Sequence, residues 1–346
     1  MKGLTNGMKA LVYTQPKIFS IKETDMPVCK EHQVIIRVVA CGICKTDVHI
    51  HNGEFLSRFP LTPGHEFTGT IHSVGASVTA FKTGDRVVAD NTVLCGECYY
   101  CRRNQPLYCE NFYSLGCNGP GGFAEYVVVN QDKVFHIDDA LSFDEASFAE
   151  PTACAIHGMD MIDVQPGDNI LMFGAGPTGI ILAQLLKHGG VGELVVAAPT
   201  QFKLDVLNQL GIKTVKIARD GAGNAKDEIL SYAPNGYDIV IDATGSAAVL
   251  QSCFDYAKKG SKIVVYGVCN ESDTISVKPY DIFSNEYKLI GSFAQTHCFD
   301  RAIQALQSGT VKVKNLVSHS FSLDEYDKGL EEVISGKNSH KVLIRP

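Results

Sequence analysis

Ile170-Leu171-Met172-Phe173-Gly174-Ala175-Gly176-Pro177-Thr178-Gly179 is the stretch that decides the fold of this chain. Four consecutive apolar residues suit a strand buried on both faces. Glycines follow at the first, third and sixth places of a turn, and the sequence then takes on a helical pattern from Ile180 to His188, closed by Gly189-Gly190. A glycine-rich turn alone says little. Between a strand and a helix it lets the backbone approach a pyrophosphate at the helix N-terminus. Gly174, Gly176, Pro177, Thr178 and Gly179 are therefore candidate cofactor-binding residues.

Working outward, strand and helix patterns keep alternating. Leu194 to Ala197 reads as a strand, Gln201 to Leu210 as a helix ended by Gly211, and Tyr237 to Ile241 and Ile263 to Tyr266 as further strands. That rhythm predicts an α/β domain with a doubly wound parallel sheet. Upstream the chain is different. Short apolar runs such as Val34 to Ala40 and Glu125 to Val129, split by Gly and Pro, predict a strand-rich domain. The last 50 or so residues lose the alternation and are expected to return to it. The expected organisation is 1–155 with 295–346 as one domain and 156–294 as an inserted Rossmann dinucleotide-binding domain, with the site in the cleft between them.

The 346 residues carry a formal net charge of −7, which disfavours nucleic acid and anionic membrane as general partners. No run of 18 apolar residues occurs, no signal-peptide pattern follows Met1 to Gly7, and Leu343 to Pro346 carries no targeting signal. A cytoplasmic enzyme is expected. The 12 cysteines cluster at short spacing, so reduced thiols that hold metal fit better than disulfides.

Cys95, Cys98, Cys101 and Cys109 supply four thiolates within 15 residues, enough to close a tetrahedral structural zinc site. Arg102 and Arg103 are placed to offset its negative charge. A second set lies upstream: Cys41, Cys44, Asp47 and His49, then His65-Glu66. One thiolate, one imidazole and one or two oxygens make an open zinc site, whose free position can hold water or polarise an alcohol oxygen.

Gly64-His65-Glu66 through Gly69, Gly75 and Val78 resembles the zinc signature of the medium-chain dehydrogenase/reductase family. Cys44-Lys45-Thr46-Asp47, the four-cysteine lobe and Gly84-Asp85-Arg86-Val87 match further stretches of that family, so the resemblance runs nearly end to end. It implies a GroES-like catalytic domain beside the Rossmann domain. It assigns Cys44 rather than Cys41 as the catalytic thiolate, His65 as the imidazole ligand, and Glu66 as a ligand or outer carboxylate. Where simple alcohol dehydrogenases place a cysteine, this chain has Glu150-Pro151, with His157 seven residues on. That resembles the sorbitol dehydrogenase branch, in which Glu150 either ligates zinc or holds its water. The resemblance also implies that Thr46 passes a proton outward through the cofactor ribose and that His49 delivers it to solvent, with His51 competing for the role.

At the end of the second dinucleotide-domain strand, alignment on Lys203-Leu204 puts Ala198 where NAD-preferring relatives carry an acid. With no carboxylate to repel a 2′-phosphate, and with Thr200 and Lys203 to receive one, NADP is expected in preference to NAD. The same resemblance places Thr244, Gly267, Val268 and Phe293 along the cofactor. Sorbitol dehydrogenases tend to carry an Arg-Tyr pair near Ala294-Gln295. Its absence points away from sorbitol and towards a pattern like that of D-arabinitol dehydrogenases. The expected activity is reversible oxidation of a secondary alcohol of a polyol, in a homo-oligomer (a tetramer or a dimer). The competing readings are a relative acting on a simple secondary alcohol, butanediol, threonine or a sugar-phosphate alcohol, and a non-catalytic, zinc-stabilised dinucleotide sensor.

Overall fold

The computed structural model describes residues 7–218, 225–337 and 339–346. Of the N-terminal stretch scanned for a signal sequence, residues 1–6 lie outside that range. The chain divides into two compact units, Met1–Ala153 with Thr296–Pro346, and Cys154–Gln295.

The first unit is built on a mixed sheet ordered Val317–Ser322, Lys341–Arg345, Gln33–Ile43, Glu66–Val74, Arg86–Ala89 and Val134–His136, with Tyr126–Asn130 also pairing with Gln33–Ile43. Gln33–Ile43 is the hub. Its Val, Ile and Ala residues suit a pleated, buried position, and Val34, Ile36, Ala40 and Cys41 are fully buried. Burial of each large aliphatic side chain here contributes roughly 1.5–3 kcal/mol. Two registers from this strand position the chemistry. Gly42 lies opposite Glu66 on one side and opposite Leu343 on the other. Residues 44, 66 and 341 thus meet at one end of the sheet. Gly42 itself is required there, because a Cβ would stand 2.0 Å from a Glu66 carboxylate oxygen.

The second unit is a six-stranded parallel sheet ordered Lys213–Lys216, Leu194–Ala198, Ile170–Phe173, Tyr237–Asp242, Ala257–Val265, Lys288–Gly291. In chain order this is 3-2-1-4-5-6, the doubly wound arrangement. Ile170–Phe173 and Leu194–Ala198 are buried along their whole length, as strands covered on both faces must be. The order reverses between Ile170–Phe173 and Tyr237–Asp242, and the glycine turn leaves the sheet at that point. The helix starts at Pro177, three residues before the Ile180 expected from the apolar pattern. Proline has its φ preset for the first helical position and gives up no hydrogen bond there, so the first turn forms without an apolar residue to announce it. Among the described residues no helix is long and apolar enough to cross a membrane.

Candidate active site and metal centres

Among the described residues of the first unit, two groups of side chains have metal-binding geometry. Cys95, Cys98, Cys101 and Cys109 bring their sulfurs within 4.8 Å of one another. The Cys109–Cys95 and Cys98–Cys109 separations are 3.5 and 4.0 Å. A tetrahedron of thiolates about 2.3 Å from zinc has edges of about 3.8 Å, so the donors fit that ion, and they stand too far apart for a disulfide. Main-chain amides favour the thiolate form. The N–H groups of Glu97 and Cys98 pull the Cys95 thiol down to about 6. Arg102 and Arg103 are exposed, and the Arg103 guanidinium stacks over Tyr99 at 4.4 Å.

The second group is Cys44, His65 and Glu66, also within 4.8 Å of one another. Cys44 caps the helix Lys45–Asn52, and its N–H donates to the Asp47 carboxylate at 2.8 Å. That reciprocal cap explains the spacing of Cys44 and Asp47. Gly64, at φ 96°, leads into His65-Glu66 at the start of their strand. The loop that carries Gly116 closes over this point, where a Cβ on Gly116 would strike the Gly64 carbonyl at 2.3 Å. Cys41, the thiol set aside in favour of Cys44, is fully buried in the core, and burial raises its pKa well above the ordinary value.

Electrostatics around His65 show what the group can hold. Burial opposes a charge on the ring, yet Cys117, Asp47 and Cys44 together hold its pKa well above normal. The thiols of Cys117 and Cys44 both reach the ring, while its Nδ1 lies 3.8 Å from Asp47 Oδ1. Neither of these last two atoms has a hydrogen-bond partner. A nest of buried acceptors that favours positive charge is what a divalent ion requires.

Glu66 is held by Lys341. The ammonium lies 2.7 and 2.5 Å from the two carboxylate oxygens, with both side chains buried. Burial alone would lower the lysine pKa, but Glu66, Cys44 and Glu150 outweigh it and raise it. Glu150, in the first turn of the helix Ala149–Ile162, is outside the group of three ligand atoms but within electrostatic reach of Lys341. Thr46 Oγ1 is 3.6 Å from Cys44 Sγ. The two histidines weighed for the proton relay face different partners. His49 Nδ1 meets Glu54 Oε2 at 2.7 Å, whereas His51 Nδ1 meets the Tyr13 hydroxyl at 2.9 Å, and Tyr13 in turn touches Tyr326 in the core.

In the second unit the glycines of the turn differ in purpose. A Cβ at Gly174, where φ is 112°, would stand 2.8 Å from the Ala243 carbonyl, and one at Gly179 would stand 2.8 Å from the Gly174 carbonyl. These two are fixed by the protein's own packing. A Cβ at Gly176 would meet nothing within 4 Å. Gly176 N-caps the helix that opens with Pro177 and Thr178, so its open face is where a phosphate can approach. Thr244 Oγ1 donates to the buried Asp242 carboxylate at 2.5 Å, and Gly267 packs on Gly245. Val268 and Phe293 are apolar and exposed, at 49% and 43%. Ala198 ends its strand buried, Thr200 N-caps the next helix, and Lys203 lies in that helix's first turn.

The sequence placed Asp47 only among the ligand types of the upstream set, whereas the structure leaves it outside the group of ligand atoms and beside His65; Cys117 and Lys341 had no role in the sequence reading. Asp47 had a signal in its capping spacing from Cys44. Lys341 had none, because a lysine ahead of Val342-Leu343-Ile344 looks like the solvated start of a strand.

The alcohol dehydrogenase GroES-like domain matches residues 30–139, and the zinc-binding dehydrogenase domain matches residues 177–308. D-arabinitol dehydrogenase 1 of Uromyces fabae is 39% identical over 98% of this chain and 97% of its own. The chain belongs to the zinc-containing medium-chain dehydrogenase family. Its structure resembles that of a zinc-binding dehydrogenase of Sinorhizobium meliloti 1021 bound to NADP, with a TM-score of 0.91 at 30% identity, covering 98% of this chain and 99% of the other. It also resembles a protein of Escherichia coli CFT073, described as a short chain alcohol dehydrogenase and complexed with NADH. Here the TM-score is 0.90 at 27% identity, covering 99% of this chain and 100% of the other. As in its family, the chemistry of this chain is that of a dehydrogenase acting on a small-molecule alcohol with zinc and a nicotinamide dinucleotide.

Proposed function

We propose that this dehydrogenase reversibly oxidises a secondary alcohol of a polyol of the arabinitol type to a ketose, with NADP preferred over NAD. The observation that carries the polyol reading is the charge packed around Cys44 and His65. Glu66 belongs to the same group, the Lys341 ammonium pairs with Glu66, and Glu150 lies within electrostatic reach of that lysine, a setting suited to a hydrated, hydroxyl-rich molecule and hostile to a greasy one. The likeness to D-arabinitol dehydrogenase 1 over nearly the whole chain supports the same class. The NADP preference rests on Ala198, whose methyl offers neither a bond to ribose hydroxyls nor repulsion of a 2′-phosphate, with Thr200 and Lys203 close in sequence.

In this reading residues 1–155 and 295–346 form the catalytic domain and 156–294 the dinucleotide domain. Cys44, His65 and Glu66, with Glu150 nearby, hold the catalytic zinc. Cys95, Cys98, Cys101 and Cys109 hold the structural one. When bound, zinc supplies a Lewis acid for a hydroxyl oxygen and the dinucleotide supplies a hydride acceptor. The Asp47 carboxylate, 3.8 Å from His65 Nδ1, favours positive charge beside that ring. Lys341 neutralises Glu66 and keeps its carboxylate at the sheet end. The Thr46 hydroxyl accepts the proton that the alcohol loses as it passes its own proton on, and His49 releases a proton to water. Gly174, Gly176, Pro177, Thr178 and Gly179 admit the pyrophosphate, while Thr244, Gly267, Val268 and Phe293 line the rest of the dinucleotide.

We assign the protein to the cytoplasm and to a homo-oligomer, a tetramer or a dimer. In the second unit the edge strand Lys288–Gly291 exposes Leu289, and the helix Pro279–Asn285 exposes Tyr280 and Phe283 at 73% and 78%. An uncovered edge beside apolar side chains suits pairing with a second copy. Sedimentation of Phe283→Glu should show a smaller species than the wild type.

Initial rates decide the main reading. D-arabinitol, xylitol, sorbitol, 2,3-butanediol, threonine and isopropanol would each be offered with NAD⁺ and NADP⁺. Faster turnover of a polyol with NADP⁺ is expected. Turnover with NAD⁺ alone would overturn the role of Ala198. Activity confined to butanediol, threonine or isopropanol would overturn the polyol.

A further inference from the structure

The helix Lys45–Asn52 ends in a cap with an uncommon side-chain pair. Gly53 adopts the left-handed conformation, φ 82° and ψ 19°. Its N–H donates to the Ile50 carbonyl, and the Glu54 N–H folds back to the His49 carbonyl, both at 2.9 Å. These two bonds define a Schellman motif, which sets the side chain just beyond the helix against the one a turn earlier. That contact is commonly apolar. Here it joins a carboxylate to an imidazole, Glu54 Oε2 to His49 Nδ1 at 2.7 Å. The His49 side chain is only 13% exposed. Its other ring nitrogen, Nε2, is shut off from solvent and has no hydrogen-bond partner. His51, the competing histidine, has its Nδ1 engaged by Tyr13.

We propose that Glu54 is a positioning residue for proton transfer, holding the His49 ring with its proton on Nδ1 and its lone pair on Nε2. The proposal rests on the reading of His49 as the residue that releases the substrate proton. A neutral imidazole donates from one nitrogen and accepts at the other, so a carboxylate that accepts from Nδ1–H leaves Nε2 as the acceptor. In the oxidation the alcohol O–H bond breaks and its proton arrives at Nε2 of His49, while the electron pair of the C–H bond leaves as hydride to the dinucleotide. The imidazolium then lies in a charge-assisted contact with Glu54, gives up one proton to water on that exposed side, and returns to the tautomer protonated at Nδ1 that Glu54 favours. The left-handed glycine is therefore part of the device: it takes the φ of 82° that turns Glu54 back onto the ring at little cost, and a Cβ there would stand 2.5 Å from Pro16.

The test compares Glu54→Ala, Glu54→Gln, Glu54→Asp, His49→Ala and the double variant His49→Ala/Glu54→Ala, with D-arabinitol and each dinucleotide. Glu54→Ala and Glu54→Gln are expected to lower kcat by about 3- to 10-fold at unchanged KM, with Glu54→Asp recovering part of the loss. The double variant should be no slower than His49→Ala, because the two residues act as one unit. A Glu54→Ala effect of equal size in both backgrounds would make Glu54 a helix cap only and overturn the proposal. A second readout needs no substrate: the ring ¹⁵N shifts of His49, assigned by their loss in His49→Ala. One tautomer protonated at Nδ1 is expected in the wild type and a mixture in Glu54→Ala. Unchanged shifts would overturn the positioning role whatever the kinetics show. Wild-type turnover by His49→Ala would overturn the relay reading itself. That outcome differs from failure of the present proposal alone, in which His49→Ala is slow and Glu54→Ala is not.

Discussion

The two cysteine-bearing centres of the first unit are built by opposite means. All donors of the four-thiol lobe lie between Cys95 and Cys109, and turns within that segment bring them together. At the other centre, Cys44 comes from the end of one strand, His65 and Glu66 from the start of the next, and Lys341 from the strand that closes the sheet. Only the registers of Gly42 with Glu66 and with Leu343 make them neighbours. The first centre has four thiols, a donor set that would close a tetrahedral zinc site. The second mixes donor types and surrounds them with buried charge. A closed site can be local, because its task is to hold its own segment. A reactive site draws on distant parts of the sheet, because its geometry must survive ligand exchange.

The largest effects should separate the two centres. Cys98→Ser removes one of four thiolates from the lobe, and most of the protein is expected to be recovered unfolded or aggregated, since structural zinc contributes directly to folding. Cys44→Ser should leave a folded chain with about one zinc instead of about two. Its turnover should fall by on the order of a hundredfold or more, in line with several kcal/mol of Lewis-acid assistance. Metal analysis with circular dichroism checks both. A Cys44→Ser protein as unstable as Cys98→Ser would erase the distinction.

Next in size is Lys341→Met. It leaves the Glu66 carboxylate buried without its cation, and breaking such a pair from one side costs about 3–5 kcal/mol. Lys341→Met/Glu66→Gln removes both charges and should recover much of the lost thermal stability, though not activity. If the double variant melts as low as the single one, the lysine matters for packing against Phe148, whose ring lies 5.6 Å from the ammonium, and not for charge.

The same contrast explains what the sequence disclosed. The thiol lobe and the glycine turn were legible because each is written within about 15 residues at fixed spacing. The doubly wound sheet was legible because Ile170–Phe173 and Leu194–Ala198 are unbroken apolar runs between helices. The family likeness carried Cys44, His65 and Glu66. What stayed hidden depends on register or on side-chain direction. Lys341 reaches Glu66 across 275 positions, and no local pattern encodes that pair. His49 and His51 look interchangeable in the sequence, yet one turns to Glu54 and the other to Tyr13. The helix start at Pro177 was missed because apolar periodicity cannot register a proline-led first turn.

Asp47 offers the finest probe of the contrast, because removing its charge should act in opposite directions with and without metal. In the zinc-free protein burial pushes its carboxyl from 3.8 up to about 6. A raised folded-state pKa means that the fold binds this proton more tightly than the unfolded chain does. The stability it contributes is fully present below about pH 4 and is lost as pH rises through about 6. Asp47→Asn, neutral at every pH, should flatten that decline in chelator-treated protein, as read from melting temperatures between pH 4 and 7. In the zinc-loaded protein the same substitution should weaken the catalytic site instead. His65 Nδ1 then loses the carboxylate at 3.8 Å, and such outer partners are worth roughly 10- to 100-fold in metal affinity. Competition with a chelator measures this, and the zinc of the four-thiol lobe serves as the internal control because Asp47 is not among its neighbours. Equal loss of both zincs would mean that Asp47 supports the fold as a whole. Loss from one centre alone, together with a flattened pH profile without metal, would show that the burial cost of Asp47 is offset by its hold on a single histidine.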